Sequence, residues 1–171
     1  MRTSVKALAA TLFSAAALIP VGGTAQAEPA RAGCSGGELT WSVDKPISMI
    51  PRQVTFHTAG TLRDCTGVDG STTATVAGVH ESTSSCLNPA DGPLTFTIAW
   101  STGATSTVRG PWPVGMIQPT VGELDIISGH GAGRRVRIVA NYNVWTPQMI
   151  LGCLGPGVSA GNGTVDSLTF V

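Results

Sequence analysis

The sequence predicts an all-β protein: an antiparallel β-sandwich, immunoglobulin-like or jelly-roll-like, preceded by an N-terminal signal-peptide helix. Three observations predict this fold. Apolar and polar residues alternate with a period of two in several segments, as they do in half-buried strands. Clusters of Gly, Pro, Asn and Asp separate these segments. No convincing run with the helical period of 3.6 residues follows Ala27. Many short strands are typical of a sandwich or a barrel, and we expect the sandwich.

The signal peptide is predicted over residues 1–27. Arg2 and Lys6 provide a basic start, an apolar run extends from Ala7 to Val21, and small residues end in Ala25-Gln26-Ala27. This is the three-part plan of a secretory signal peptide. The apolar run is shorter than the roughly 20 residues that a permanent membrane helix needs. We therefore expect cleavage after Ala27, secretion, and no stable membrane anchor.

The remaining chain has the size of one domain. Removal of 27 residues from 171 leaves 144, enough to bury one adequate core. We expect a flexible N-terminal arm over residues 28–37 and a single all-β domain over 38–171. Loss of Arg2 and Lys6 leaves eight basic residues against ten acidic ones. A chain with so little positive charge has no electrostatic footprint for nucleic acid.

The strands are predicted from their alternation, in chain order. The clearest segment runs from Leu94 to Trp100, and a hairpin turn is expected at 101–104. Earlier strands lie around Leu39 and Phe56, and further strands are expected at 72–79, 106–109, 123–127, 135–142 and 164–170. The aromatic residues predicted to face inward are Trp41, Phe56, Phe96, Trp100 and Phe170.

Four cysteines, Cys34, Cys65, Cys86 and Cys153, follow the cleavage site. In an exported chain we expect them to form two disulfides. None belongs to a close C-x-x-C pair and the three histidines are scattered, so no metal site is predicted. Three pairings are possible and the sequence does not choose among them. Our preference is Cys34 with Cys86 and Cys65 with Cys153.

No catalytic or cofactor site is predicted, because each chemical motif lacks its context. Residues 157–161 match the G-x-S-x-G nucleophile elbow, but no histidine follows Ser159. Residues 155–160 match a loose dinucleotide pattern, but too little chain remains for the βαβ unit that it needs. Residues 42–45 match S-x-x-K without the accompanying motifs. A hydrolase that uses His130 with an acid such as Asp125 remains an alternative.

The candidate ligand contacts are Trp112, Trp145 and His130. Both tryptophans stand beside prolines in connections rather than in alternating strands. Exposed tryptophans can stack on sugars or insert into a partner, although burial at the ends of the core is favoured on general grounds, because large aromatic side chains are mostly buried. His130 lies in a glycine-rich loop without an identifiable catalytic partner, and loops often carry function.

The order of these features resembles a group of small secreted actinobacterial proteins of uncharacterised function. The features that carry the resemblance are Cys34, Trp41-Ser42, the segment from Val54 to Cys65, Cys86, the Trp100–Ser106 hairpin, the Gly129–Gly133 loop and Cys153. The likeness spans essentially the whole chain after the signal peptide. It implies a secreted all-β domain, and it assigns no catalytic or ligand-binding residue.

The function predicted from the sequence is therefore non-catalytic. We expect a secreted, disulfide-stabilised β-sandwich whose surface binds an extracellular protein or glycan. The alternatives are a secreted hydrolase and a secreted protease inhibitor.

Overall fold

The computed structural model describes residues 32–171. The predicted signal peptide and residues 28–31 lie outside the described residues. Eight strands and one short helix make up the fold: β1 (Gly33–Ile47), β2 (Arg52–Thr66), β3 (Ala74–Ser84), β4 (Pro93–Trp100), β5 (Thr105–Pro111), β6 (Thr120–Gly129), β7 (Arg135–Tyr142), α1 (Pro147–Leu154) and β8 (Val158–Phe170).

The strands form a closed antiparallel barrel in chain order. Each strand pairs with the next, and β1 closes the circle by pairing with both β2 and β8. The predicted β-sandwich is therefore wrong. Alternation with a period of two specifies that one face of a strand is buried. A sandwich and a barrel satisfy that condition equally well, because a barrel is a sheet packed on itself.

The predicted strands are confirmed in position, although several boundaries differ and the strand expected at 72–79 runs from Ala74 to Ser84. The strand at 135–142 matches β7, whereas the one expected at 164–170 begins earlier, at Val158. The turn at 101–104 joins β4 to β5, where the Ala104 carbonyl accepts a hydrogen bond from the Trp100 amide. Residues 33–37, expected to belong to a flexible arm, are instead the first residues of β1.

The helix α1 was not predicted. Thr146 caps its first turn by accepting a hydrogen bond from the Met149 amide at 3.2 Å, and Pro147 takes the first helical position, where its missing N–H costs nothing. The helix has eight residues and none of them is buried. A segment this short does not fill the window of roughly 11 to 18 residues over which a helical period is recognised in a sequence. Within residues 32–171, no helix is long and apolar enough to cross a membrane.

Two disulfides form, as predicted, but with a different pairing from the one preferred. Cys34 bonds to Cys65 and Cys86 bonds to Cys153. Cys34 and Cys65 are directly opposite each other on β1 and β2, so the hairpin register brings them together. The second bridge ties α1 to the connection between β3 and β4. Two disulfides are compatible with an oxidising, extracellular environment.

The antiparallel order gives the barrel two unlike ends. The short connections 67–73, 101–104 and 130–134 lie at one end, which we call the closed end. The connections 48–51, 85–92, 112–119 and 143–157, the last with α1, lie at the other, which we call the open end.

Large buried side chains fill the barrel near the closed end. Phe170, Ile126 and Trp100 are each 2% exposed there. The Trp100 indole donates to the Ser106 hydroxyl at 2.9 Å, which in turn donates to the His130 carbonyl at 2.8 Å. This end is a packed core sealed by the turn between β6 and β7.

Candidate ligand-binding site

An inner cavity of about 80 Å³ lies mainly in the half of the barrel nearer the open end, and its wall extends to Leu62 and Leu168, which pair with Ala74 and Cys34. Its walls are almost entirely apolar and include side chains from β1, β2, β3, β4, β7 and β8. The closed-end residues Trp100, Ile126 and Phe170 do not line the cavity. Small-molecule sites in proteins are usually concave, mostly apolar and furnished with a few polar groups.

Two indole rings of the cavity wall lie against glycines of neighbouring strands. A Cβ added at Gly161 would come within 2.6 Å of the Trp41 ring, and one added at Gly122 would collide with the Trp112 ring. Both side chains line the cavity. Because these rings occupy the space over a glycine, they leave room inside the barrel.

Tyr142 and Trp112 form a polar pair on the cavity wall. The Trp112 indole N–H donates to the Tyr142 hydroxyl oxygen at 3.0 Å. Burial raises the pKa of Tyr142 to about 12, and the hydrogen bond from Trp112 acts in the opposite direction. The phenol is therefore protonated at any physiological pH and retains a hydrogen to donate.

His80 is the single histidine on the described cavity wall, and it is only 3% exposed. Burial lowers the pKa of this imidazole, while the Gly92 backbone and the Asp91 carboxylate oppose the shift. Although the Gly92 backbone approaches the ring, Nε2 makes no hydrogen bond with any described residue. The ring of Phe56 lies 5.7 Å from the imidazole, centre to centre. His80 is therefore a neutral polar group in apolar surroundings.

Trp41 lies on the other side of Phe56, with ring centres 5.8 Å apart. Its indole Nε1 is buried and likewise has no hydrogen-bond partner among residues 32–171. The side chain borders both the inner cavity and a second, outer depression. Trp41 thus marks the boundary between the two spaces.

The outer depression, which we call the mouth groove, has a volume of about 210 Å³. It shares Trp41, Ile47, Pro89 and Val144 with the inner cavity, so the two spaces adjoin. The connections of the open end, α1 and the Cys86–Cys153 disulfide form its walls. All three methionines of the described chain, Met49, Met116 and Met149, line it. Flexible, polarisable methionines adapt to ligands of different shape.

Two of the three predicted ligand contacts lie at this site. Trp112 lines the inner cavity and is buried. Trp145 lines the mouth groove, is 65% exposed, and donates a hydrogen bond to the Met116 carbonyl at 3.3 Å. Sequence reasoning missed His80 and Tyr142 as site residues. The available signal was a polar side chain at an inward position of an alternating strand, which holds for both.

His130 lies at the closed end, away from both tryptophans. Its Nδ1 is 3.1 Å from the Asp69 carboxylate, and its ring meets the edge of Phe170. The acid suggested as its catalytic partner, Asp125, instead pairs with Arg135 at 3.5 Å. The His130–Asp125 combination is therefore not assembled. Among the described residues, no group of three or more His, Cys, Asp or Glu side chains could hold a metal ion.

No family model matches the chain, and neither a curated protein nor a solved structure matches it. The resemblance to secreted actinobacterial proteins stays a prediction.

Proposed function

We propose that this protein is a secreted, non-catalytic binding protein that holds a small, mainly apolar molecule in the open half of its barrel. The observation that carries the proposal is the inner cavity adjoining the methionine-lined mouth groove. Eight-stranded barrels are just wide enough either to be filled by side chains or to hold one small ligand. Fold alone does not imply function, so the proposal depends on the site.

The volumes limit the shape of the ligand. A cavity of about 150 Å³ holds benzene, so the inner cavity of about 80 Å³ accepts only the narrow end of a molecule. The larger mouth groove accommodates the rest. A chain-like ligand with one end buried fits both spaces.

An apolar molecule fits this site better than the glycan suggested by the tryptophans. A sugar carries many hydroxyl groups, and each one buried without a partner costs free energy. The mouth groove is lined by aliphatic, sulfur-containing and aromatic residues together with Pro89. Export is supported by the N-terminal sequence pattern and by the two disulfides.

The test is a titration of the oxidised protein with 1-hexene. Six buried carbons contribute roughly 5 kcal/mol at about 0.8 kcal/mol per CH₂, and about 4.1 kcal/mol corresponds to a Kd of 1 mM. Binding in the millimolar range calls for amide chemical-shift mapping by NMR. We expect the shifts to concentrate on residues around Trp41, Phe96 and Ala140.

The matched variants are Ala140→Leu and Val121→Leu. Ala140 is fully buried on the cavity wall, whereas Val121 is exposed on the outer face of β6. Three added carbons at Ala140 should fill the cavity and abolish binding, while Val121→Leu should leave it unchanged. Undiminished binding by a folded Ala140→Leu protein, or no shifts in the wild type, would overturn the proposal.

A further inference from the structure

Three residues of the cavity wall carry polar groups whose hydrogen-bonding capacity is not filled by the described chain. The Tyr142 hydroxyl accepts a hydrogen bond from Trp112 but donates none to residues 32–171. The Trp41 indole N–H has no acceptor, and Nε2 of His80 has no partner of either kind among the same residues. Buried polar atoms in proteins are nearly always hydrogen-bonded, so unpaired ones need an explanation.

These unpaired atoms concentrate at the cavity. Across residues 32–171, three buried side-chain atoms lack a partner, and two of them belong to the cavity residues Trp41 and His80. The third, the hydroxyl of Thr120, belongs to a residue that does not line the cavity. Two of the three unpaired buried atoms therefore belong to residues of one small cavity.

The chemistry of these groups specifies the ligand atom. An indole N–H can only donate, and the Tyr142 oxygen already accepts a hydrogen bond, so its hydroxyl is available to donate. A neutral imidazole donates from one nitrogen and accepts at the other. The ligand must therefore supply at least one acceptor.

The charge of the site also specifies the ligand. No Asp, Glu, Lys or Arg among the described residues lines the inner cavity, and burial lowers the pKa of His80. A carboxylate or an ammonium group would be buried there without a counter-ion, which is strongly unfavourable. The buried end of the ligand is therefore uncharged.

We propose that the ligand inserts an uncharged oxygen acceptor, a carbonyl or hydroxyl oxygen, into the inner cavity, where the Tyr142 hydroxyl donates to it and small shifts of the His80 and Trp41 rings bring their unpaired nitrogens to it. This assignment rests on the proposed function, because it concerns the polar end of the same apolar ligand. The class of ligand is a neutral ketone, aldehyde or alcohol with an apolar chain that lies in the mouth groove.

The test compares three probes of equal chain length: 1-hexene, 2-hexanone and hexanoate at pH 8. Each is titrated into the wild type and into Tyr142→Phe and His80→Leu, which remove polar atoms with little change of volume. For at least one variant we expect the Kd of 2-hexanone to rise about three- to tenfold, the range of one net hydrogen bond. The Kd of 1-hexene should stay within about twofold. Hexanoate should bind far more weakly than 2-hexanone.

Val121→Leu is the control variant, because Val121 is exposed on the outer face of β6 and lines neither the cavity nor the mouth groove. It should preserve the ratio of the Kd values of 2-hexanone and 1-hexene. Ratios unchanged in both Tyr142→Phe and His80→Leu, or hexanoate binding as tightly as the ketone, would overturn the polar assignment while 1-hexene binding upheld the proposed function. Failure of both neutral probes to bind the wild type would overturn the proposed function itself.

Discussion

Tyr142 is the single tyrosine of the chain, so phenolate absorbance reports this residue alone. Its pKa is raised to about 12 by burial. We expect the folded protein to show no phenolate transition around pH 10, where a free tyrosine is half ionised. The resulting contribution to stability is complete below pH 10 and disappears as the pH rises toward 12, because the unfolded chain ionises first.

Trp112→Phe provides the control for this titration. The hydrogen bond from Trp112 lowers the pKa of Tyr142, so its removal should move the transition to higher pH. A folded wild type that ionises near pH 10 would show that the phenol is solvated.

The lowered pKa of His80 should make the free energy of unfolding depend on pH in the acidic range. Burial lowers the pKa of His80 below its ordinary value of 6.5. The unfolded chain therefore takes up a proton before the folded one does. The free energy of unfolding should decrease as the pH falls below about 6.5 and reach its full value above that pH.

The measurement is urea unfolding between pH 5 and pH 8, with His80→Leu and His57→Gln for comparison. His57 is exposed, so its substitution should leave the pH dependence intact, whereas His80→Leu should flatten it. An equally steep pH dependence in His80→Leu would assign the effect to other groups.

At the scale of elements, the sequence predicted the positions of the strands better than it predicted which strands and cysteines pair. Leu94 to Trp100 alternates in the sequence and alternates between buried and exposed positions in β4. The pairing of Cys34 with Cys65 was accessible in principle, because both lie equally far from the turn at 48–51. That inference needs the turn to be placed first, and the residues from Lys45 to Arg52 do not single out one turn type.

No residue of α1 is fully buried, and Met149 and Cys153 pack only partly against the core, so we expect the Cys86–Cys153 disulfide to be the main anchor of the helix. We expect Cys86→Ser with Cys153→Ser to accelerate amide hydrogen exchange in residues 147–154. The same change should lower the free energy of unfolding by up to about 4 kcal/mol, as expected for a loop of this length.

Cys34→Ser with Cys65→Ser is the matched control for that experiment. This bridge joins two strands already paired near the closed end, so its loss should lower stability by a similar amount without accelerating exchange in α1. Equal acceleration in both variants would mean that α1 responds to global stability and not to its tether.

For the whole molecule, the packed and hollow halves of the barrel should differ in mutational cost. Leu124 is fully buried outside the cavity wall, whereas Leu94 lines the cavity. Leu124→Ala should cost about 3 to 5 kcal/mol. Leu94→Ala should cost less, because that side chain already lacks neighbours on its cavity side.

Urea unfolding of the two variants measures this difference. Equal costs would indicate that the open half is packed as tightly as the closed half.

The cavity itself could not be predicted from the sequence. Alternation predicts that Trp41 and Phe96 face inward, but it does not tell whether an inward ring points to the centre or lies over a neighbouring glycine. That choice depends on which strands are adjacent and in what register, as for Trp41 opposite Gly161. Barrel closure sets both, and closure is a property of all eight strands together.

Because the ring of strands is complete, every strand has a hydrogen-bonded neighbour on both sides over at least part of its length. The barrel therefore has no edge strand to which another chain could add, which is the usual route to fibrils and strand exchange. Whatever this protein recognises, it must do so through side chains, whether in the inner cavity, at the rims or on the outer wall. Sequence changes in the rim connections can therefore alter specificity while the hydrogen-bonded framework persists.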